Sequence, residues 1–225
     1  MSGKSYLIGI AGPSGAGKSY LARYLAERLQ APVLSLDHYY RDLSHLQLDE
    51  RARTNFDDPA ALEHDLLISQ VAQLSEGHSV EIPTYDFSVH ARTGETQLFV
   101  PAPFVIVEGL FTLHWPELRC LLDTRVFVDM TDDVCLQRRR DRDVRERGRT
   151  PDSVVEQFQA TVAPMADLYV RPTQAHAHVL VSGATPVGEE VERVLQHVRQ
   201  TTPKPGLHAT ADEIVRSHSP SVPSR

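Results

Sequence analysis

The chain has 225 residues, 41% hydrophobic and 24% charged, with a formal net charge of −7 at pH 7. Such a chain can bury one full α/β core and carry a tail. Its acidic balance excludes a general nucleic-acid binder, which has to neutralise phosphates.

Taken in chain order, residues 6–11 form a short apolar strand that runs into a glycine-rich loop. A helix follows, with Leu21, Ala22, Leu25, Ala26 and Leu29 at helical spacing. Residues 33–36 read as a second strand. Residues 59–74 read as an amphipathic helix, capped by Asp58 and opened by Pro59. "VEIPTYDF" and "TQLFV" predict two strands around a loop, in the manner of a hairpin. Residues 104–109 and 125–130 are apolar enough for buried strands. Helical spacing covers 132–147 and 152–170, the second bent at Pro164. "HVLVS" is the last strand and 187–200 the last helix. Strands alternating with helices predict a mostly parallel sheet covered on both faces. The domain is expected to span 1–200. Residues 201–225, rich in Pro, Ser and Thr, are expected to be a disordered tail.

Cys120 and Cys135 give no disulfide framework and are expected to be small core fillers in a reducing cytosol. The eleven histidines are scattered, with only His176 and His178 close together at strand spacing, and no zinc pattern emerges. The N-terminal apolar run is too short for a signal peptide and no membrane-length span follows it. The expectation is a cytoplasmic protein without a membrane partner.

"GPSGAGKS", residues 12–19, has the spacing Gly-x-x-x-x-Gly-Lys-Ser between a predicted strand and a predicted helix. Gly12, Gly15 and Gly17 let backbone N–H groups curl around an anion, with Ser14 and Ala16 between them. The helix N-terminus adds a favourable dipole. Lys18 offers charge to the outer phosphates, and the Ser19 hydroxyl is placed for Mg²⁺. The motif implies a nucleoside triphosphate with magnesium on a three-layer α/β P-loop NTPase fold.

Ligands in open parallel sheets sit beyond the carboxyl ends of the strands. Asp37, Glu108 and Asp129 each end a predicted strand. Asp37 can accept the proton of an attacking hydroxyl or help to hold the metal, and Glu108 can take its water shell. Asp129 has the simpler alternative of capping the next helix.

"RRRDRDVRERGR", residues 138–149, holds seven arginines and three acids, a local charge of +4. A solvated face with i,i+4 pairs such as Asp141–Arg145 is one reading. A nucleic-acid patch is another, but no aromatic residues interleave. The phosphate motif favours a third, a lid of arginines that closes on a transferring phosphoryl group, with Gly148 as hinge.

Several stretches together resemble the uridine kinase (uridine–cytidine kinase) family, in its bacterial form. They are "GPSGAGKS", "LDHYYRDLSHL", "ERARTNFDDPAALEHDLL", "IPTYDFSVHART", "VIVEGL", "VFVDM", the arginine run and "SVVEQFQATVAPM". The resemblance implies phosphorylation of uridine and cytidine at the 5′-hydroxyl, with ATP or GTP as donor, Mg²⁺ as cofactor and a homo-oligomer, often a tetramer. It makes Asp37 the base, with Tyr40 lining the same site. Asp57 would hold the ribose hydroxyls, with Phe56 beside it. Tyr85 and His90 would recognise the base, with Phe87 as pocket wall. Glu108, Ser19 and Asp37 would attend the metal. Arg139, Arg142, Arg147 and Arg149 would be lid and substrate arginines, with Arg142 and Gln157 nearest the ribose. The chain departs from the family at Asp58, where a His is usual, at Arg140 and Asp141 within the lid, and over residues 175–185. Related P-loop kinases of ribulose 5-phosphate or pantothenate share the cradle and Asp37 but need no pyrimidine pair. A nucleotide-binding regulator without turnover is the rival of another class.

Overall fold

The structure, a computed structural model, describes residues 3–86 and 88–202. Strand period two organises it. Along β1 (Tyr6–Ala11), Leu7 and Ala11 enter one apolar layer while Ile8 and Ile10 enter the other. β5 (Phe104–Glu108) divides in the same way, Val105 and Val107 against Phe104 and Ile106. Both strands are buried throughout their centres, as all-parallel sheets require. β2 (Val33–Ser35), β6 (Thr124–Asp129) and β7 (Val179–Ser182) complete a parallel sheet in the order β2-β5-β1-β6-β7.

Helix α1 (Lys18–Leu29) covers one face with Leu21, Ala22, Leu25 and Leu29. α2 (Leu48–Ala52) is a short surface turn, and α3 (His64–Ser75) covers the opposite face with Leu67, Val71 and Leu74. α4 (Pro116–Leu121), which the sequence reading lacked, adds Leu118 to that second layer. α5 (Asp132–Arg147) carries the arginine run. α6 (Pro151–Gln157) continues through π-helical turns at Phe158–Val162 and Ala166–Val170, which flank α7 (Ala163–Met165). Pro164 lacks an N–H to donate, and the widened turns on each side accommodate it. α8 (Val187–Thr201) returns to the α1 layer through Val191, Val194, Leu195 and Val198.

Four features differ from expectation. The helix expected over 59–74 is a 3₁₀ turn, Pro59–Ala61, capped by Asp58 Oδ1 on the Ala60 N–H at 2.8 Å, and then a separate helix. Between them Leu62 is extended and forms an antiparallel bridge with Tyr40. The second strand ends at Ser35, because the Ser35 hydroxyl accepts the Asp37 N–H and starts a 3₁₀ turn, Leu36–Tyr39. Cys120 is exposed on the outer side of α4, whereas Cys135 is buried as expected. His176 ends a 3₁₀ segment instead of sharing a strand with His178.

β3 (Val80–Asp86) and β4 (Ala91–Phe99) form the antiparallel hairpin, a separate two-stranded sheet. Buried Tyr39 anchors it: its hydroxyl donates to Gln70 Oε1 at 2.7 Å, and Gln70 Nε2 donates to the Glu81 carbonyl at 2.9 Å. No helix among the described residues is long and apolar enough to cross a membrane. The tail expected from residue 201 lies outside the described residues beyond Thr202.

Candidate active site

The loop after β1 runs over the carboxyl edge of the sheet. At Gly12 the backbone takes φ 148°, and a Cβ there would meet the Val128 carbonyl oxygen at 2.3 Å. No other residue type fits that turn without moving β6. Gly12 and Ala16 are buried behind the loop, while Ser14, Gly15, Gly17, Lys18 and Ser19 line a cavity of about 850 Å³.

Lys18 is buried, and its ammonium donates to the Pro13 carbonyl at 2.9 Å. Burial pushes its pKa down, while the nearby Glu108 and Asp37 carboxylates pull it back up. Ser19 Oγ donates to Glu108 Oε2 at 3.1 Å. Burial raises the Glu108 pKa, opposed by Lys18 and by the Ser35 and Ser19 hydroxyls. A hydroxyl and a carboxylate this close, with Asp37 near enough to act on both Lys18 and Glu108, form a hard oxygen donor set. Mg²⁺ suits such a set, since it keeps most of its waters and takes one or two carboxylates plus phosphate.

Asp37 sits two residues past β2 on the 3₁₀ turn, not at the strand end, yet it still lines the cavity. Beyond it the cavity continues into a second chamber walled by Tyr40, Phe56, Asp57, Tyr85 and His90. The rings form a chain of contacts: Tyr85 to Tyr40 at 5.4 Å, Tyr40 edge-on to Phe56 at 5.2 Å, and Phe56 stacked on His90 at 5.2 Å. Tyr40 donates its hydroxyl to the Phe56 carbonyl at 3.2 Å. Burial lifts the Tyr40 phenol well above its usual range and pushes Tyr85 up to about 12. Both therefore stay neutral and able to donate. Asp57 is buried, and burial raises its pKa against the pull of Arg139. Arg92 fastens the wall: its Nε donates to the Tyr40 carbonyl at 3.0 Å and Nη2 pairs with Glu63 at 3.0 Å.

The arginine run divides by face. Arg139 is buried and donates to Ser14 Oγ at 2.9 Å and to Gln157 Oε1 at 3.0 Å. Arg149, past Gly148 in a left-handed conformation (φ 63°), returns to donate to the same Gln157 oxygen and to the Ser153 carbonyl. Arg139, Arg142, Arg149 and Gln157 all line the cavity. Arg140 points to solvent. Phe87 and the Arg147 side chain lie outside the described residues. Asp129 does not line the cavity; it is exposed and faces Arg171 at 3.9 Å, and the N-cap position of α5 is held by Thr131, without a side-chain cap bond.

Two residues that sequence reasoning passed over belong here. Arg138 lines the cavity and bridges the cradle to the loop after β7, donating to the Ala16 carbonyl at 3.3 Å and the Gly183 carbonyl at 3.0 Å. Asp143 has its side chain wholly buried among the lid arginines. Its position four residues after Arg139 on one helix was the available signal.

A phosphate cradle at the carboxyl edge of a parallel sheet, opening through an acid into an aromatic chamber, defines a P-loop phosphotransferase of the small-molecule type. Residues 7–187 match the model of the Phosphoribulokinase / Uridine kinase family, and the chain belongs to it. It is 44% identical over 182 residues to the uridine kinase of Shewanella amazonensis, covering 78% of this chain and 86% of that protein. The uridine kinase of Tolumonas auensis is 45% identical over 182 residues, with 78% and 85% covered. Phosphoribulokinase from Rhodobacter spheroides shares the fold, with a TM-score of 0.58 at 18% identity over 82% of this chain and 74% of that one.

Proposed function

We propose that this protein transfers the terminal phosphoryl group of ATP to the 5′-hydroxyl of uridine or cytidine. The observation that carries the reading is one cavity lined by Lys18 and Ser19, by the aromatic chamber and by Asp37, whose carboxylate is near enough to act on Lys18 and Glu108 and on Tyr40, Asp57 and Tyr85. Asp37 accepts the proton of the 5′-hydroxyl as its oxygen attacks the γ-phosphorus; the bond to the β-phosphate oxygen breaks and ADP leaves. A positioned base of this kind contributes about 10²- to 10⁴-fold. Lys18, Arg139, Arg142, Arg147 and Arg149 stabilise the charge spread over the transferring group. Ser19 and Glu108 would hold Mg²⁺, which offsets the negative charge of the phosphates when bound.

Asp57 accepts hydrogen bonds from the vicinal ribose hydroxyls, and Tyr85 and His90 address the base edge. An acidic and aromatic chamber suits a neutral nucleoside. A sugar phosphate would call for cations where Asp57 and the rings stand.

Purified protein with Mg-ATP should convert uridine and cytidine to their monophosphates, read by mass, and leave ribulose 5-phosphate and pantothenate unchanged. Absence of both nucleotide products ends the substrate assignment. Asp37→Asn should bind Mg-ATP normally and lose at least about 100-fold in kcat. Turnover within a few-fold of wild type removes Asp37 as the base.

A further inference from the structure

Three of the four described arginines that line the cavity, Arg139, Arg142 and Arg149, converge on one carboxylate that does not itself line it. Asp143 Oδ1 accepts from Arg142 Nε at 2.8 Å and lies 2.8 Å from Arg142 Nη2. Its Oδ2 faces Arg139 Nε at 3.5 Å and Arg149 Nη1 at 3.8 Å. The Asp143 backbone carbonyl accepts the N–H groups of Gly148 and Arg149, the latter at 3.2 Å. One residue therefore fixes both the end of the lid helix and the side chains that project from it.

Guanidiniums gathered around a single cavity repel one another, and exposed ones relax by swinging into solvent. A buried carboxylate offsets that repulsion and orients each planar fork at a separate angle. Against it stands the expense of taking a charge out of water, which a merely structural contact avoids by using apolar groups. Arg139 also bonds Ser14 of the cradle, so its orientation is passed directly to the phosphate site.

We propose that Asp143 is a positioning residue that holds Arg139, Arg142 and Arg149 in the geometry that meets the transferring phosphoryl group. This rests on the phosphoryl-transfer reading above. It assigns the acid within the arginine run a role in turnover, not in nucleotide affinity. Replacing it with a neutral isostere raises the local positive charge by one while loosening the forks. Ground-state binding of a polyanion is then kept or strengthened while turnover falls, a split that a general loss of structure does not give.

The test is Asp143→Asn in the full chain. Its kcat for uridine should fall by about 30-fold. Its Mg-ATP affinity by calorimetry should stay within about threefold of wild type or tighten. In an Arg142→Ala background the same change should have little further effect, because the two residues act as one unit. Asp143→Glu keeps the charge but displaces the carboxylate by one methylene, and it should fold like wild type with reduced kcat. The claim is overturned by an Asn variant with wild-type kcat, by parallel losses of kcat and Mg-ATP affinity, or by multiplicative losses in the double variant. If the Asn variant does not fold, a folded Glu variant with full turnover overturns it. Wild-type protein that makes neither uridine nor cytidine monophosphate removes the transfer reading itself; wild-type turnover with an undisturbed Asn variant removes only the role of Asp143.

Discussion

The two ends of the cavity are built by different means. The cradle is a contiguous stretch, residues 12–19, whose shape is set by backbone conformation and by the close approach of Gly12 to β6. The chamber is assembled from side chains on separate elements: Tyr40 past a 3₁₀ turn, Phe56 and Asp57 from a loop, Tyr85 and His90 from the hairpin. A backbone device fails as a unit when one residue is wrong. A side-chain assembly loses its contacts one at a time.

The largest effect expected from that contrast is at Gly12. In Gly12→Ala the new Cβ meets the Val128 carbonyl oxygen at 2.3 Å in a backbone region that L-residues avoid. Mg-ATP affinity should fall by more than about 100-fold, with about 2–4 kcal/mol of stability lost. Calorimetry and a denaturant titration check both. Normal nucleotide binding in this variant breaks the view of the cradle as an all-or-none backbone device.

Asp57→Asn probes the other mode. Among the described wall residues Tyr40, Phe56, Asp57, Tyr85 and His90, Asp57 supplies the carboxylate, and replacing it should lower kcat/KM for uridine by about 10- to 100-fold, the scale of hydrogen bonds to a charged acceptor. The KM for Mg-ATP should hold. A matching loss on the donor side means that the two ends are not separable.

The same contrast explains what could be read from the sequence. The cradle was legible because its chemistry and its spacing are local. The parallel sheet was legible because its strands are continuous apolar runs. From the residues alone, the chamber could be sketched only as an acid at a strand end and a hairpin with an aromatic pair; its roles came from resemblance. The break at Leu62 was hidden, since apolar spacing carries straight through the 3₁₀ turn and into α3. Asp143 enters the sequence reading only as one of the run's three acids, because its i,i+4 spacing from Arg139 does not say which face of the helix turns inward. That face is chosen by packing of α5 against α6, which Arg139 joins through Gln157, and by the return of the chain at Gly148 that brings Arg149 back to Asp143.

Arg92→Ala should have a smaller effect, confined to the acceptor end. Arg92 does not line the cavity; it clamps the Tyr40 carbonyl and Glu63, tying the hairpin to the chamber wall. Its loss should raise the KM for uridine by about tenfold with kcat and donor KM nearly unchanged, the signature of an acceptor site loosened in its ground state. Steady-state kinetics in both substrates decide it. An equal rise in donor KM makes Arg92 a general brace of the fold.

The smallest effect separates two kinds of destabilisation at the two ends. At Gly12 the strain that an added Cβ creates is conformational and does not titrate. At Asp57 it is electrostatic, since burial raises the folded-state pKa above the unfolded value of about 3.9. A raised carboxyl pKa means that folding favours the protonated form. That contribution is complete below the unfolded pKa and disappears as pH rises through the folded one. At pH 7 the ionised carboxylate is therefore held against its own burial, and a neutral Asn relieves it. Ligand-free Asp57→Asn should melt about 2 °C above wild type at pH 7, with the gap closing as pH falls through the raised pKa towards 4. The deficit of Gly12→Ala should be the same at both ends of that range. Calorimetric melts across the pH series test the pair. An Asn variant that melts below wild type at pH 7 shows that Arg139 stabilises the Asp57 carboxylate by more than burial penalises it.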